Sequence, residues 1–221
     1  MYIIMLGAPG SGKGTVGKII AEELNLAHIS TGDIFREQIK NKTELGKKLE
    51  EYTSKGLLVP DELTIQILEK RLEQDDLQNG AILDGFPRTE NQAKQLDKLL
   101  EKKNAKVDKA IYLNVPDEDI IERISNRRIC ENKECKEVYS LDFQPPKVEN
   151  ICDKCGSKLT QREDDKEEVV KQRLVVYHKN AQEILNYYDK KEVLYTAEVN
   201  KKNKKTSKDV AKELVEYFKK M

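Results

Sequence analysis

The chain has 221 residues, 38% hydrophobic and 36% charged, enough for one substantial domain with room for a small insertion. Forty basic and forty acidic side chains cancel, which excludes a global field that would draw nucleic acid or an anionic membrane surface. No apolar run approaches the ~20 residues a membrane span needs, and no charged leader with a cleavage site opens the chain, so it reads as soluble and cytoplasmic. Many Asn and Gln residues weigh against taking the high charged fraction as heat adaptation.

In chain order, Tyr2–Leu6 is a short apolar run stopped by glycine, the pattern of a buried parallel strand. The stretch after it, Gly7-Ala-Pro-Gly-Ser-Gly12-Lys13-Gly14-Thr15, carries four glycines in eight positions and lies close to G-x-x-x-x-G-K-[ST]. Glycines at these places let backbone N–H groups turn inward on phosphate oxygens, and the lysine reaches the terminal phosphates. Gly14 stands where the strict pattern has Ser or Thr, with the hydroxyl one place later at Thr15. A purely structural strand-to-helix turn is the competing reading. A lysine at this spacing after an apolar strand points instead to phosphate.

A helix over 14–24 follows, its positive end facing the same anion. Next come a weak strand near 27–29, helices over 33–39, 44–55 and 61–72, and a strand at 81–84. A helix over 90–102, a strand at 110–115 and a helix over 118–126 complete the first half of the pattern. Beyond 162 the order resumes with a long helix over 166–188, a strand at 193–196, a lysine-rich solvated loop at 201–205 and a final helix over 208–219. Acidic pairs at Asp61-Glu62 and Asp117-Glu118 suit helix N-termini. Strands alternating with amphipathic helices predict an α/β fold with a parallel sheet.

Between Arg127 and Arg162 the helical period disappears and Cys, Pro, Gly and Tyr take over, which marks an inserted module. Cys130 and Cys135 form one pair and Cys152 and Cys155 a second, with sixteen residues between the pairs. Two close pairs so placed suit a four-thiolate zinc site, and a module with almost no apolar core needs such a clip. Disulfides, free thiols and a redox Cys-x-x-Cys are the other readings. A zinc ribbon can also hold nucleic acid, but the acids Glu131, Glu134, Asp164 and Asp165 close to single arginines favour a mobile cover.

Arginine is scarce beside lysine, so its positions are informative: Arg36 after Ser30-Thr-Gly-Asp-Ile-Phe, Arg88 in Leu83-Asp-Gly-Phe-Pro-Arg-Thr89, then Arg123, Arg127, Arg128, Arg162 and Arg173 around the module. Any one of them could be a surface charge. Together around a phosphate loop they suit phosphoryl transfer, which needs cations that align two anionic substrates and neutralise the transferring group.

The motifs GAPGSGKGT, STGDIFR, GLLVPDE, LDGFPRT, ERI…RRIC and QREDDKEEVVKQRL, in this order, make the chain resemble the adenylate kinases of the long-lid, zinc-containing bacterial kind. The resemblance implies a P-loop NTPase-type parallel sheet flanked by helices, with a core of 1–29, 60–125 and 165–221. It also implies a helical AMP-binding insertion at 30–59 and a zinc-bound lid at 126–164. The implied reaction is reversible phosphoryl transfer from Mg-ATP to AMP, giving two ADP, by a monomer. Implied for ATP are Gly10, Ser11, Gly12, Lys13, Gly14, Thr15, Arg123, Arg127, Val138 and Tyr139. Implied for AMP are Thr31, Arg36, Leu57, Leu58, Val59, Gly85, Phe86, Pro87, Arg88, Gln92, Arg162 and Arg173. Lys13, Arg88, Arg123, Arg162 and Arg173 would act on the phosphates, Asp84 would orient Mg2+, and Cys130, Cys135, Cys152 and Cys155 would hold Zn2+. Three departures from the family pattern stand out: Asn126 before the arginine pair in place of Gly, Cys-x4-Cys in place of Cys-x2-Cys, and no evident adenine-contacting glycine around Asn200–Lys201. A UMP/CMP kinase would share the phosphate loop, but commonly with a short lid and alanine at the Thr31 position.

Overall fold

The computed structural model describes residues 1–142, 144–199 and 205–220. Five strands form a parallel sheet in the order β2-β3-β1-β4-β8: β1 (Tyr2–Leu6), β2 (Ala27–Ser30), β3 (Ala81–Asp84), β4 (Lys109–Asn114) and β8 (Leu194–Glu198). The central strand is buried throughout because both faces are covered. Ile3 and Met5 point into one apolar core with Ile82, Ile111 and Leu113, while Tyr2, Ile4 and Leu6 point into the other with Leu83 and Ala110.

Helices α1 (Lys13–Leu24) and α8 (Ser207–Lys219) cover the first face, through Val16, Ile20, Leu214 and Phe218. Helices α4 (Asp61–Leu72) and α5 (Glu90–Glu101) cover the second, through Leu68, Leu72, Leu96 and Leu100. The long α7 (Glu167–Asp189) serves both, with Val170 and Leu174 in the first core and Ile184 and Tyr188 in the second. At 1.5 Å per residue its 23 residues run about 34 Å, far enough to carry Arg173 to the sheet's carboxyl edge while its other end stays anchored. Among the described residues no helix is long and apolar enough to cross a membrane.

Two small units sit at the carboxyl edge of the sheet. Helices α2 (Thr31–Lys40) and α3 (Glu44–Thr53) pack on Phe35, Leu49 and Val59. After α6 (Asp117–Ser125), the cysteine-rich stretch folds as a three-stranded antiparallel sheet of β5 (Arg127–Cys130), β6 (Val138–Ser140) and β7 (Leu159–Thr160). The sequence reading left this stretch without strands. They are two to four residues long and rest on backbone pairing, with no apolar alternation to announce them. The buried cluster here is Cys130, Cys135, Tyr139, Cys152 and Leu159, three of five being cysteines.

Asn126, at the entry to this module, has φ −93°, so the backbone does not require glycine there. Its carbonyl accepts the Leu141 N–H at 3.0 Å and its side chain bonds Asp142. Asn200 and Lys201, and most of the 201–205 loop, lie outside the described residues.

Candidate active site

The strand β1 ends at Leu6 and the chain turns back through the glycine loop into α1. Gly12, the N-cap of α1, has φ +97°, and a Cβ there would lie 2.2 Å from Ser207 Oγ, so only glycine fits. No side chain caps this helix, which leaves its first N–H groups for an anion. A Cβ on Gly14 would come 3.2 Å from Asp84 Oδ2, so a larger residue at that place would press on this carboxylate. The Lys13 ammonium sits inside the loop and donates to the Gly7 and Ala8 carbonyls, both at 2.7 Å. Burial brings its pKa down to about 8; Asp84 pulls it up, while Arg88, Arg173 and Arg127 push it further down.

Lys13, Asp84 and the six arginines Arg36, Arg88, Arg123, Arg127, Arg162 and Arg173 all line one cavity of about 1410 Å³. Gly10, Gly12, Gly14, Thr15, Leu58, Gly85, Pro87, Val138 and Tyr139 also line it. Ser11, Thr31, Leu57, Val59, Phe86 and Gln92 do not; they lie behind the wall or beside it. Ser11 is fully buried and Thr31 is 1% exposed, with its hydroxyl 3.5 Å from the Asp84 carbonyl.

The arginines converge because different elements aim them. Arg88 leaves the turn after β3 and its Nε donates to the Gly85 carbonyl at 2.7 Å. Its pKa is brought down to about 10, by burial first and by neighbouring Arg173 second. Arg162 is brought to about 10 by burial and by Arg36 and Arg127. Among the described residues neither Arg88 nor Arg162 has an ion pair with a carboxylate. Such crowded cations lack their natural counter-charge, and a polyphosphate supplies it.

The sequence alone does not show which partners several acids near the site hold. Asp164 holds Arg173 at 2.8 Å and comes within 3.9 Å of Arg36, joining α2 to the exit of the cysteine module. Asp165, 1% exposed, takes the Arg127 guanidinium in a two-toothed grip, Nε to Oδ2 at 2.9 Å and Nη2 to Oδ1. Asp33 pairs with Arg36 at 2.7 Å. Asp61 accepts from Gln92 Nε2 at 2.7 Å, Thr89 Oγ1 at 2.9 Å and Asn91 Nδ2 at 2.8 Å, while Gln92 Oε1 accepts the Arg88 N–H at 2.7 Å. Asp61 had been legible only as an acid on a helix N-terminus.

In the module all four cysteines are free, and their sulfurs lie within 4.8 Å of one another. Cys130 and Cys155 are 3.4 Å apart, Cys135 and Cys152 3.7 Å. Tetrahedral zinc with Zn–S of about 2.3 Å requires S···S of about 3.8 Å, so the cluster fits a four-thiolate metal. The two extra residues of Cys-x4-Cys are absorbed in a turn, with the Lys136 N–H on the Asn132 carbonyl at 3.0 Å and the Glu134 N–H on Asn132 Oδ1 at 2.9 Å. Hydrogen bonds from the Ser157 hydroxyl and backbone N–H bring the Cys155 thiol down to about 6, which favours the thiolate.

Residues 5–193 match the family model for adenylate kinase. The chain belongs to the adenylate kinase family. It is 54% identical to the adenylate kinase of Ruminiclostridium cellulolyticum and 53% identical to that of Caldicellulosiruptor saccharolyticus, each over 97% of this chain and 99% of the relative. It is 50% identical to the adenylate kinase of Archaeoglobus fulgidus, over 91% of this chain and 92% of that one. The matched residues 5–193 include the glycine loop, the arginines, the cysteine module and the strands β2, β3 and β4.

Proposed function

We propose that Lys13, Arg36, Arg88, Arg123, Arg127, Arg162 and Arg173 carry the adenylate kinase reaction of this chain, the reversible transfer of a phosphoryl group between ATP and AMP to give two ADP. The observation that carries this reading is the single cavity of about 1410 Å³ lined by all seven cations. A pocket for one small ligand holds about 300–1,000 Å³, so this volume suits two nucleotides meeting through their phosphates.

ATP takes the glycine-loop side, with its phosphates on the α1 N-terminus and Arg123 and its base against Arg127, Val138 and Tyr139. AMP takes the side of α2 and the Gly85–Arg88 turn, with Arg36 and Arg88 on its phosphate. Thr31 and Gln92 shape the AMP subsite from behind the wall, Gln92 through the backbone of Arg88. An AMP oxygen attacks the γ-phosphorus in line with the departing ADP, and no protein group forms a covalent bond. Lys13 follows the transferring group, while Arg88, Arg162 and Arg173 neutralise charge on its equatorial oxygens. Residues 30–59 and 126–164 close over the two substrates and exclude water, which would otherwise take the phosphoryl group. The Asp164–Arg36 approach joins the two covers.

The Asp84 carboxylate beside Lys13, with Thr15 in the same wall, fits a magnesium ion brought in with ATP. Bound there, Mg2+ would supply charge neutralisation for the ATP phosphates. The four sulfurs fit a structural Zn2+, which Cys130, Cys135, Cys152 and Cys155 would hold and which would tie together a module with almost no apolar core. The protein acts as a cytoplasmic monomer without nucleic acid. Incubating it with Mg-ATP and AMP, UMP, CMP or GMP in turn tests the reading. ADP should accumulate at two per ATP consumed with AMP alone; comparable turnover with UMP or CMP would assign the chain a pyrimidine acceptor instead.

A further inference from the structure

Tyr139 touches both the nucleotide cavity and the cysteine cluster. It is 3% exposed in β6, it lines the cavity together with Val138, and its hydroxyl lies 3.5 Å from Cys152 Sγ. The backbone N–H of Asp153, next to Cys152 in the second cysteine turn, donates to the same oxygen at 2.8 Å. With that lone pair occupied, the hydroxyl keeps one proton to give, and the sulfur of Cys152 is within its reach. Cys152 is itself 1% exposed, so water does not compete for the bond. A hydroxyl donating to a metal-bound thiolate makes a charge-assisted bond, whereas a neutral thiol accepts only weakly. The contact therefore strengthens when the sulfur is a metal ligand.

We infer that Tyr139 is a positioning residue that couples the metal site to the ATP side of the cavity, its hydroxyl fixing Cys152 and its place in β6 beside Val138 carrying that order into the cavity wall. The inference rests on the structural-metal reading given above. Partners that hydrogen-bond a metal ligand commonly change metal retention by about 10–100-fold. Coupling is also reciprocal: if the metal orders β6 for nucleotide, then nucleotide against β6 must slow metal loss.

Zinc-loaded wild type and Tyr139→Phe, both full-length, would be mixed with a chromophoric chelator with and without Mg-ATP, after metal content per chain is measured. Wild type should release zinc more slowly, by about threefold or more, when Mg-ATP is present. Tyr139→Phe should release it about tenfold faster, with the Mg-ATP protection lost. Melting temperatures add a readout that plain packing would not reproduce: the substitution should lower that of the zinc-loaded protein more than that of the stripped protein. Equal shifts in both forms, or zinc release unmoved by the substitution in a loaded wild type, would overturn this inference alone. A wild-type chain that takes up no metal would overturn the metal reading and the coupling with it.

Discussion

Asp61 offers a sharp test of how the acceptor subsite is built. Its carboxylate collects three side-chain donors at 2.7–2.9 Å, from Gln92, Thr89 and Asn91, and Gln92 is only 2% exposed. Truncating it to alanine leaves the Gln92 amide N–H group buried without a partner, which costs about 1–3 kcal/mol. It also removes charge-assisted bonds to Thr89, the N-cap of α5, and to Asn91, so the total loss should be about 3 kcal/mol. For a chain of this size that is a melting shift of about 6–12 °C. Asp61→Asn keeps an acceptor for Gln92 while turning a donor toward Thr89 and Asn91, and should cost about 1 kcal/mol, or about 2–4 °C. Because Gln92 Oε1 holds the Arg88 backbone, the alanine variant should also lose about tenfold or more in kcat/KM for AMP, with KM for ATP within about twofold. Calorimetry and steady-state kinetics on the two variants decide it. An alanine variant melting within 2 °C of wild type, or losing ATP and AMP affinity alike, would show that the Asp61 network does not hold this subsite.

Other consequences follow from the same geometry. Arg88→Ala should keep the fold and lower kcat by a factor equivalent to about 3 kcal/mol or more, as when one preorganised donor is removed; near-normal turnover would remove it from the reacting set. Because the free-protein pKa of Lys13 lies at about 8 and bound phosphate favours the ammonium, nucleotide binding above that pH must take up a proton. The dissociation constant for Mg-ATP should therefore be flat below pH 8 and rise by up to about tenfold per pH unit above it; calorimetric titrations showing a flat profile to pH 9.5 would contradict this. Cys135→Ser, or stripping by chelator, should lower metal content and melting temperature and raise amide exchange most between Arg127 and Arg162, with a smaller effect on low-temperature activity. Uniform loss of protection across the central sheet would contradict a local clip.

The sheet was legible because each central strand is a short apolar run broken by glycine or a charge, as with Tyr2–Leu6 and Ala81–Asp84. Helix starts were less so: α2 begins at Thr31, because the Ser30 hydroxyl accepts the Asp33 N–H at 3.2 Å, whereas hydrophobic period alone placed the start two residues later. The edge strand β8 extends to Glu198 with three of its five residues exposed, so alternation gives its end away poorly. The strands of the cysteine module carry no period to read. Glycines, Lys13 and arginines could be read because each residue type is tied to phosphate chemistry. The partners of Asp61, Asp164 and Asp165 could not, since an acid near an arginine is common and only the fold shows which pairs meet.

The most direct test of the whole account follows the label of γ-32P-ATP through a single turnover with AMP and magnesium, in wild type and Lys13→Ala. The wild type should move the label to the β-position of ADP with almost none released as inorganic phosphate, as a cavity proposed to align AMP and exclude water requires. Lys13→Ala, folded to the same melting curve, should slow that transfer by about three orders of magnitude or more. Label appearing as inorganic phosphate in the wild type, or transfer at near wild-type rate without Lys13, would contradict the central claim that this cavity and its lysine carry the reaction.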